Sequence, residues 1–164
     1  MSEIIIREIR PEDRPDAWSI FHEVVNSGDT YIYPEDTPES YMDVFLYDSQ
    51  IPAVYVAEKE GNILGLYRIR PNFMGRASHI ANASYMVHPD YQGQGIGAQL
   101  CEHSLTRAKE LGFTAMQFNI VVSTNTNAVK LWQRFGFEII ATVPQGFQHK
   151  TLGRVDAHIM YRDL

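Results

Sequence analysis

Two hydrophobic periods alternate along this chain, and the places where one gives way to the other mark out its elements. Ile4 to Arg10 is rich in β-branched residues and reads as a strand, closed by Pro11-Glu12-Asp13. Acids and Pro15 open a helix with Ala17, Ile20, Phe21, Val24 and Val25 on one face, ended by Asn26-Ser27-Gly28-Asp29. Glu39 to Tyr47 reads as a short helix. Pro52 to Glu58 and Ile63 to Arg70 flank Glu60-Gly61-Asn62 as a β-hairpin, and Ser78 to Val87 is the next strand. From Ile96 the period returns to that of a helix, with Leu100, Ser104, Ala108 and Leu111 in line and Gly112 as the stop. Thr114 to Val122 alternates as a strand, which puts Met116, Phe118, Ile120 and Val122 on one face and Gln117, Asn119 and Val121 on the other. Asn125 caps a helix carrying Ala128, Leu131, Trp132 and Phe135, stopped by Gly136. Phe137 to Val143 is a strand, Pro144 to Gly153 a connection, and Arg154 to Arg162 the last strand.

The order β-α-α-β-β-β-α-β-α-β-β predicts an α/β (α+β) chain with a mixed, mostly antiparallel sheet. The sheet holds about six to seven strands flanked by about four helices. The strand–helix–strand unit from Ser78 to Val122 requires a parallel pair with a right-handed crossover. No repeat, low-complexity tract or linker interrupts residues 1–164, which read as a single domain. Hydrophobic residues make up 45% of the chain, enough for a core and too many for a disordered segment. The net charge of −6 argues against nucleic acid as a partner. The lone cysteine, Cys101, excludes an internal disulfide and a cysteine-based metal site, and falls on the apolar face of its helix. No stretch approaches the roughly 20 apolar residues that span a membrane. No basic region and apolar stretch open the sequence, so the expected location is cytoplasmic, with no membrane partner.

The most informative segment is Val87-His88-Pro89-Asp90-Tyr91-Gln92-Gly93-Gln94-Gly95-Ile96-Gly97, between a strand and a helix. Glycines at alternate positions let a backbone approach a ligand closely. The N–H groups at a helix start favour an anion such as a pyrophosphate. The string of a P-loop is missing. Gly93, Gly95 and Ala98 fit a dinucleotide fingerprint in form, but the following strand ends Ile120-Val121-Val122-Ser123, without the acid that would take a ribose.

Gln92-x-x-Gly95-x-Gly97 resembles the acetyl-CoA loop of the GNAT superfamily of N-acetyltransferases. A second element of that superfamily is matched by Asn125-Thr126-Asn127-Ala128, Leu131-Trp132 and Gly136-Phe137. The resemblance spans essentially the whole chain. It implies that acetyl-CoA is a co-substrate, its pyrophosphate on the N–H groups of Gln92, Gly93, Gln94, Gly95, Ile96 and Gly97. Its pantetheine arm would lie along Tyr85, Met86 and Val87, beside Asn125, Ala128 and Trp132. A backbone N–H near Val87 would polarise the thioester, and an amine would attack it directly with both substrates bound. Many members form dimers, so a homodimer is among the implied expectations. No metal is implied.

The chain departs from that pattern at two places. Many members carry a tyrosine that protonates the leaving thiolate; here the position holds Trp132, whose indole is no useful acid. Many carry a glutamate base on the strand before the loop; Ser78 to Val87 holds no carboxylate, and His79 is the titratable alternative. Asparagines stand out instead. Asn82, Asn119 and Asn125 are candidates for catalysis, Asn82 and Asn119 also for holding the acceptor. Asparagine is disfavoured in strands and two fall on adjacent ones. Phe118 to Asn125, with its asparagines 125 − 119 = 6 apart, is similar to fungal enzymes that acetylate azetidine-2-carboxylate and other proline analogues. The loop from Thr30 supplies Tyr31 and Tyr33 as candidate acceptor contacts, with Glu35 and Asp36 beside them and Phe147, Gln148 and His149 in the last hairpin. The leading expectation is acetyl transfer from acetyl-CoA to an amine of a small molecule, such as an amino or imino acid. Its rivals are a protein or peptide N-acetyltransferase, an acyl-CoA sensor without turnover and, third, a nucleotide-binding module.

Overall fold

A computed structural model describes residues 2–164; Met1, the first residue of the predicted domain, lies outside the described residues. The strands are β1 (Ile5–Glu8), β2 (Ala53–Lys59), β3 (Asn62–Pro71), β4 (Ile80–Val87), β5 (Ala115–Val122), β6 (Glu138–His149) and β7 (Gly153–Asp163). They form one seven-stranded sheet in the order β1-β2-β3-β4-β5-β7-β6. Every neighbouring pair is antiparallel except β4 and β5. The helices are α1 (Arg14–Ser27), α2 (Met42–Tyr47), α3 (Ile96–Glu110) and α4 (Thr126–Arg134), so the mixed architecture and element order are as the periodicity predicts.

Helices cover both faces of the sheet. On one face Ile20 and Phe21 of α1 and Phe45 of α2 pack on Val56, Leu66 and Met86. On the other, Leu100 and Ala108 of α3 pack with Tyr67, Ile69, Met116 and Met160. The middle of β3 is buried without a break from Ile63 to Ile69, the pattern of a strand covered on both sides. Among the described residues no helix is long and apolar enough to cross a membrane.

Two expectations from the alternation are corrected. In β5 the register shifts between Phe118 and Val121, so Ile120 is 40% exposed and Val121 only 6%. A bulge adds one residue to the strand and turns the side chains that follow it to the other face. Strand β6 continues through Pro144 to His149, where a connection was expected. It lies at the sheet's outer edge, so the N–H that proline lacks has no partner to lose. The kink is taken up by Gln145, at φ 51°, whose N–H donates to the Asp156 carboxylate at 2.9 Å.

The start of α1 is tied to the sheet by charge. Arg7 of β1 bonds Asp13 at 2.7 Å and Glu58 of β2 at 2.6 Å, and the Arg10 N–H donates to the same Asp13 carboxylate at 2.7 Å. The Arg7 guanidinium holds the Asp13 carboxyl below its ordinary range, against the opposing effect of burial. A carboxyl with a depressed folded-state pKa stabilises above its unfolded pKa, and that contribution fades as pH falls through the folded value. Asp13→Asn is therefore expected to lower the melting temperature at pH 7. The gap to wild type should close below about pH 4, the range of an unperturbed Asp. Thermal unfolding followed by circular dichroism across pH 3 to 7 measures it.

Candidate functional site

The parallel pairing of β4 with β5 stops almost as soon as it starts. Only Ile80↔Ala115 and Ala81↔Met116 are matched. The ladder to β3 fixes which way the rest of β4 points. His88 donates to Leu64 O and Asn72 to Ile80 O, so Asn82, Ser84 and Met86 bond β3. Ala83, Tyr85 and Val87 turn their N–H and C=O groups towards β5, where no strand meets them. The opening is floored by side chains. Trp132 of α4 packs 4.9 Å from the Tyr85 ring and 5.1 Å from the Phe118 ring, centroid to centroid, between a residue of β4 and one of β5. Trp132 thus fills the opening with ring surface, and its indole has no acid to offer.

A cavity of about 1060 Å³ runs along this opening. At one end lies the glycine loop, where Gly93 (φ 76°) and Gly95 (φ 78°) hold the left-handed conformation that a Cβ disfavours. Gly95 is also the N-cap of α3, so the free N–H groups of that helix point into the same end. Gln92, Gly93, Gly95, Ile96 and Gly97 all line the cavity; the Gln94 side chain does not. On the far side Asn125 caps α4 by accepting from the Ala128 N–H at 3.3 Å, and Asn125, Ala128 and Trp132 are lining residues. Tyr85, Met86 and Val87 form the wall between.

The loop after α1 closes the cavity over the α1–α2 face of the sheet. Tyr31 places its hydroxyl on the backbone of Tyr85, accepting from the N–H at 2.9 Å and donating to the C=O. Burial pushes the Tyr31 hydroxyl well above its ordinary pKa, so it is a poor acid. Tyr33, beside it, accepts from Arg68 at 3.0 Å. Arg68 is 5% exposed, donates to Phe45 O at 3.0 Å and lies 4.0 Å from the Phe45 ring centroid. Its Nε is buried with no acceptor.

The asparagines meet on this face, though not each as a free ligand. The Asn82 amide donates to Gln117 O at 3.0 Å. Asn119 is held at both ends: it donates to Asn72 Oδ1 at 2.7 Å and accepts from Gln117 Nε2 at 3.0 Å. Both line the cavity, as do Tyr31 and Tyr33. Other candidates fall elsewhere. His79 is exposed before β4 and does not line the cavity. Glu35 is paired with Lys150 at 2.9 Å, and with Phe147 and Gln148 it lines a separate, smaller cavity. Asp36 lines neither. His149 accepts backbone N–H groups of Thr151 and Leu152 in its own turn. Cys101 is fully buried, its thiol pushed up to about 12. Among the described residues no cluster of three His, Cys, Asp or Glu side chains is placed to hold a metal. The sequence reading missed Arg68, Arg70, Asn72, Ser84 and Gln117. Arginines two apart in an otherwise apolar strand were the available signal, because that spacing puts both on one face.

The chain is similar to proteins of known family. The acetyltransferase (GNAT) family model matches residues 16–137. A GCN5-related N-acetyltransferase from Kribbella flavida superposes with a TM-score of 0.93 at 38% identity, covering 98% of each chain. A phosphinothricin acetyltransferase from Sinorhizobium meliloti, solved with acetyl-CoA, shares the fold at a TM-score of 0.88 and 20% identity, covering 98% of this chain and 88% of that one. The N-acetyltransferase aca1 of Schizosaccharomyces pombe is 35% identical over 102 residues, which are 62% of this chain and 46% of that protein. This chain thus matches under half the length of that curated relative. By the family match over most of its length and by its likeness to the Kribbella protein, the chain belongs to the acetyltransferase (GNAT) family.

Proposed function

We propose that the chain works as a single-domain N-acetyltransferase that moves an acetyl group from acetyl-CoA to an amine of a small molecule, with both substrates bound together. The observation that carries this reading is the opening itself: a strand whose Ala83, Tyr85 and Val87 offer N–H and C=O groups to no strand, running into a glycine loop and a helix N-terminus. An extended amide-bearing arm that ends in a pyrophosphate has the complementary groups, and the relative solved with acetyl-CoA shares the fold. When bound, acetyl-CoA supplies the acyl group: the amine nitrogen bonds the thioester carbon, the C–S bond breaks, and the amine loses a proton.

The protein's own groups divide the remaining work. The N–H groups of residues 92–97 and the α3 N-terminus hold the pyrophosphate. The Tyr85 N–H, which bonds the Tyr31 hydroxyl in this structure, is the donor best placed to meet a thioester oxygen. Trp132 and Phe118 keep water from the reacting groups. With no acid side chain at the thiol, the leaving group departs as a thiolate, which an unperturbed thiol pKa of about 8.5 allows near neutral pH. Tyr31 and Tyr33 wall the part of the cavity where Asn82 and Asn119 lie, and this aromatic wall favours a small acceptor over a protein chain.

The test combines purified protein, acetyl-CoA and a panel of amino acids, imino acids including azetidine-2-carboxylate, polyamines and N-terminal peptides, with products read by mass spectrometry. Acetylated small-molecule product is expected. Tight acetyl-CoA binding with no product from any amine would favour a sensor, and product from peptides alone would move the acceptor class. Gly95→Ala forces a side chain into the left-handed region at a cost of about 1–2 kcal/mol. The free loop of the variant relaxes out of that conformation and binding has to restore it, so acetyl-CoA affinity by calorimetry should drop by up to about 5- to 30-fold. Trp132→Phe should keep kcat within about tenfold of wild type, because a lost general acid would cost about 100-fold or more.

A further inference from the structure

The sheet floor of the cavity carries one charged side chain. Of the lining residues on β3, β4 and β5, Arg70 alone is ionised at neutral pH; the polar remainder includes Asn82, Ser84 and Asn119. The Arg70 side chain makes no hydrogen bond or ion pair among the described residues, although the protein has 20 acidic side chains to offer. Two residues earlier on the same strand face stands Arg68, whose charge is also without a carboxylate and is 5% exposed. Its donors go to Phe45 O and Tyr33, so its positive charge stands behind the cavity wall uncompensated. Uncompensated buried charge is costly and is relieved by a counter-ion nearby.

Resting on the acetyltransferase reading, we infer that the acceptor carries a carboxylate close to its amine, and that Arg70 binds that carboxylate, with Arg68 behind Tyr33 adding to the positive field. The placement fits. Arg70 lies directly across from Asn82, and directly opposed residues of an antiparallel pair put their side chains on one face. Asn82 is three residues from Tyr85, about 10 Å along the strand. An arginine side chain reaching along β4 spans much of that distance and leaves the gap of an α-amino or α-imino acid between its guanidinium and the Tyr85 N–H. The planar fork of arginine suits a carboxylate's two oxygens. A polyamine would meet this floor charge to like charge. The carboxylates that do line the cavity, Glu23 and Asp29, sit on α1 and in the loop after it, away from the floor.

Each amino or imino acid of the panel is compared with its primary carboxamide and its decarboxylated amine, on wild type, Arg70→Gln and Arg70→Lys. Two readouts are taken: kcat/KM, and calorimetric binding to protein saturated with CoA, which needs no turnover. A charge-assisted pair is worth about 1.5–3 kcal/mol, so the acid should exceed its amide by about 10- to 100-fold. Arg70→Gln should remove that preference, chiefly through KM, and lower the amide's values far less than the acid's. Arg70→Lys should keep part of it. Arg70 is exposed, so loss of folding does not confound the variants. Acids that bind no better than their amides, or an Arg70→Gln variant that weakens acid and amide alike, would overturn the inference. Acids that bind through Arg70 and yield no product would overturn the proposed activity and leave the carboxylate site standing.

Discussion

A parallel strand pair that stops after two matched positions governs the rest of this molecule. Backbone N–H and C=O groups in a protein interior have to be paired, and a strand left unpaired in the middle of a sheet is expensive. Here Ala83, Tyr85 and Val87 face a gap between β4 and β5. Tyr31 answers part of the demand by laying its hydroxyl on both backbone groups of Tyr85, so a side chain from the loop after α1 stands in for a strand. A ligand with its own amides can answer the rest.

The gap is held open by packing. The Trp132 indole sits against Tyr85 of β4 and Phe118 of β5, and Phe137 stacks 4.4 Å from Phe118 behind it. The bulge after Phe118 turns β5 at the same level. Helix α4, which brings Trp132, is started by the Asn125 cap, and its end is held by Arg162, which donates to Phe135 O. A tyrosine at position 132 would add a hydroxyl to the gap. The indole fills it with apolar surface instead and brings no acid.

Charge is distributed against the protein's average. The chain carries −6 overall, yet the sheet floor of its cavity has neutral polar side chains, Asn82, Ser84 and Asn119 among them, with one cation, and a second cation is buried behind it. Neutral amides hold an acceptor without raising the pKa of its amine, as a carboxylate beside it would. The chain Gln117–Asn119–Asn72 keeps these amides fixed, since each bond restricts the rotamer of the next.

The strand and helix order, the glycine loop before α3, the Asn125 cap and the burial of Cys101 were legible in the sequence, because each depends on residues within a turn or two of one another. The sequence did not show the bulge in β5 or the passage of β6 through Pro144. Alternation assumes a regular strand, and only the edge position of β6 makes a proline tolerable there. It named Asn82 and Asn119 but could not give the acceptors their amides reach, which lie 35 and 47 residues away. His79 looked apt by its chemistry and stands outside the cavity; Arg70, named in the sequence only as the end of a strand, lines it. Local backbone preference determined the elements and the glycine loop before α3. The cavity face that carries Asn82, Asn119 and Arg70 was decided by the tertiary structure alone, because it exists only where three strands and a distant loop are brought side by side by the burial of the apolar faces beneath them.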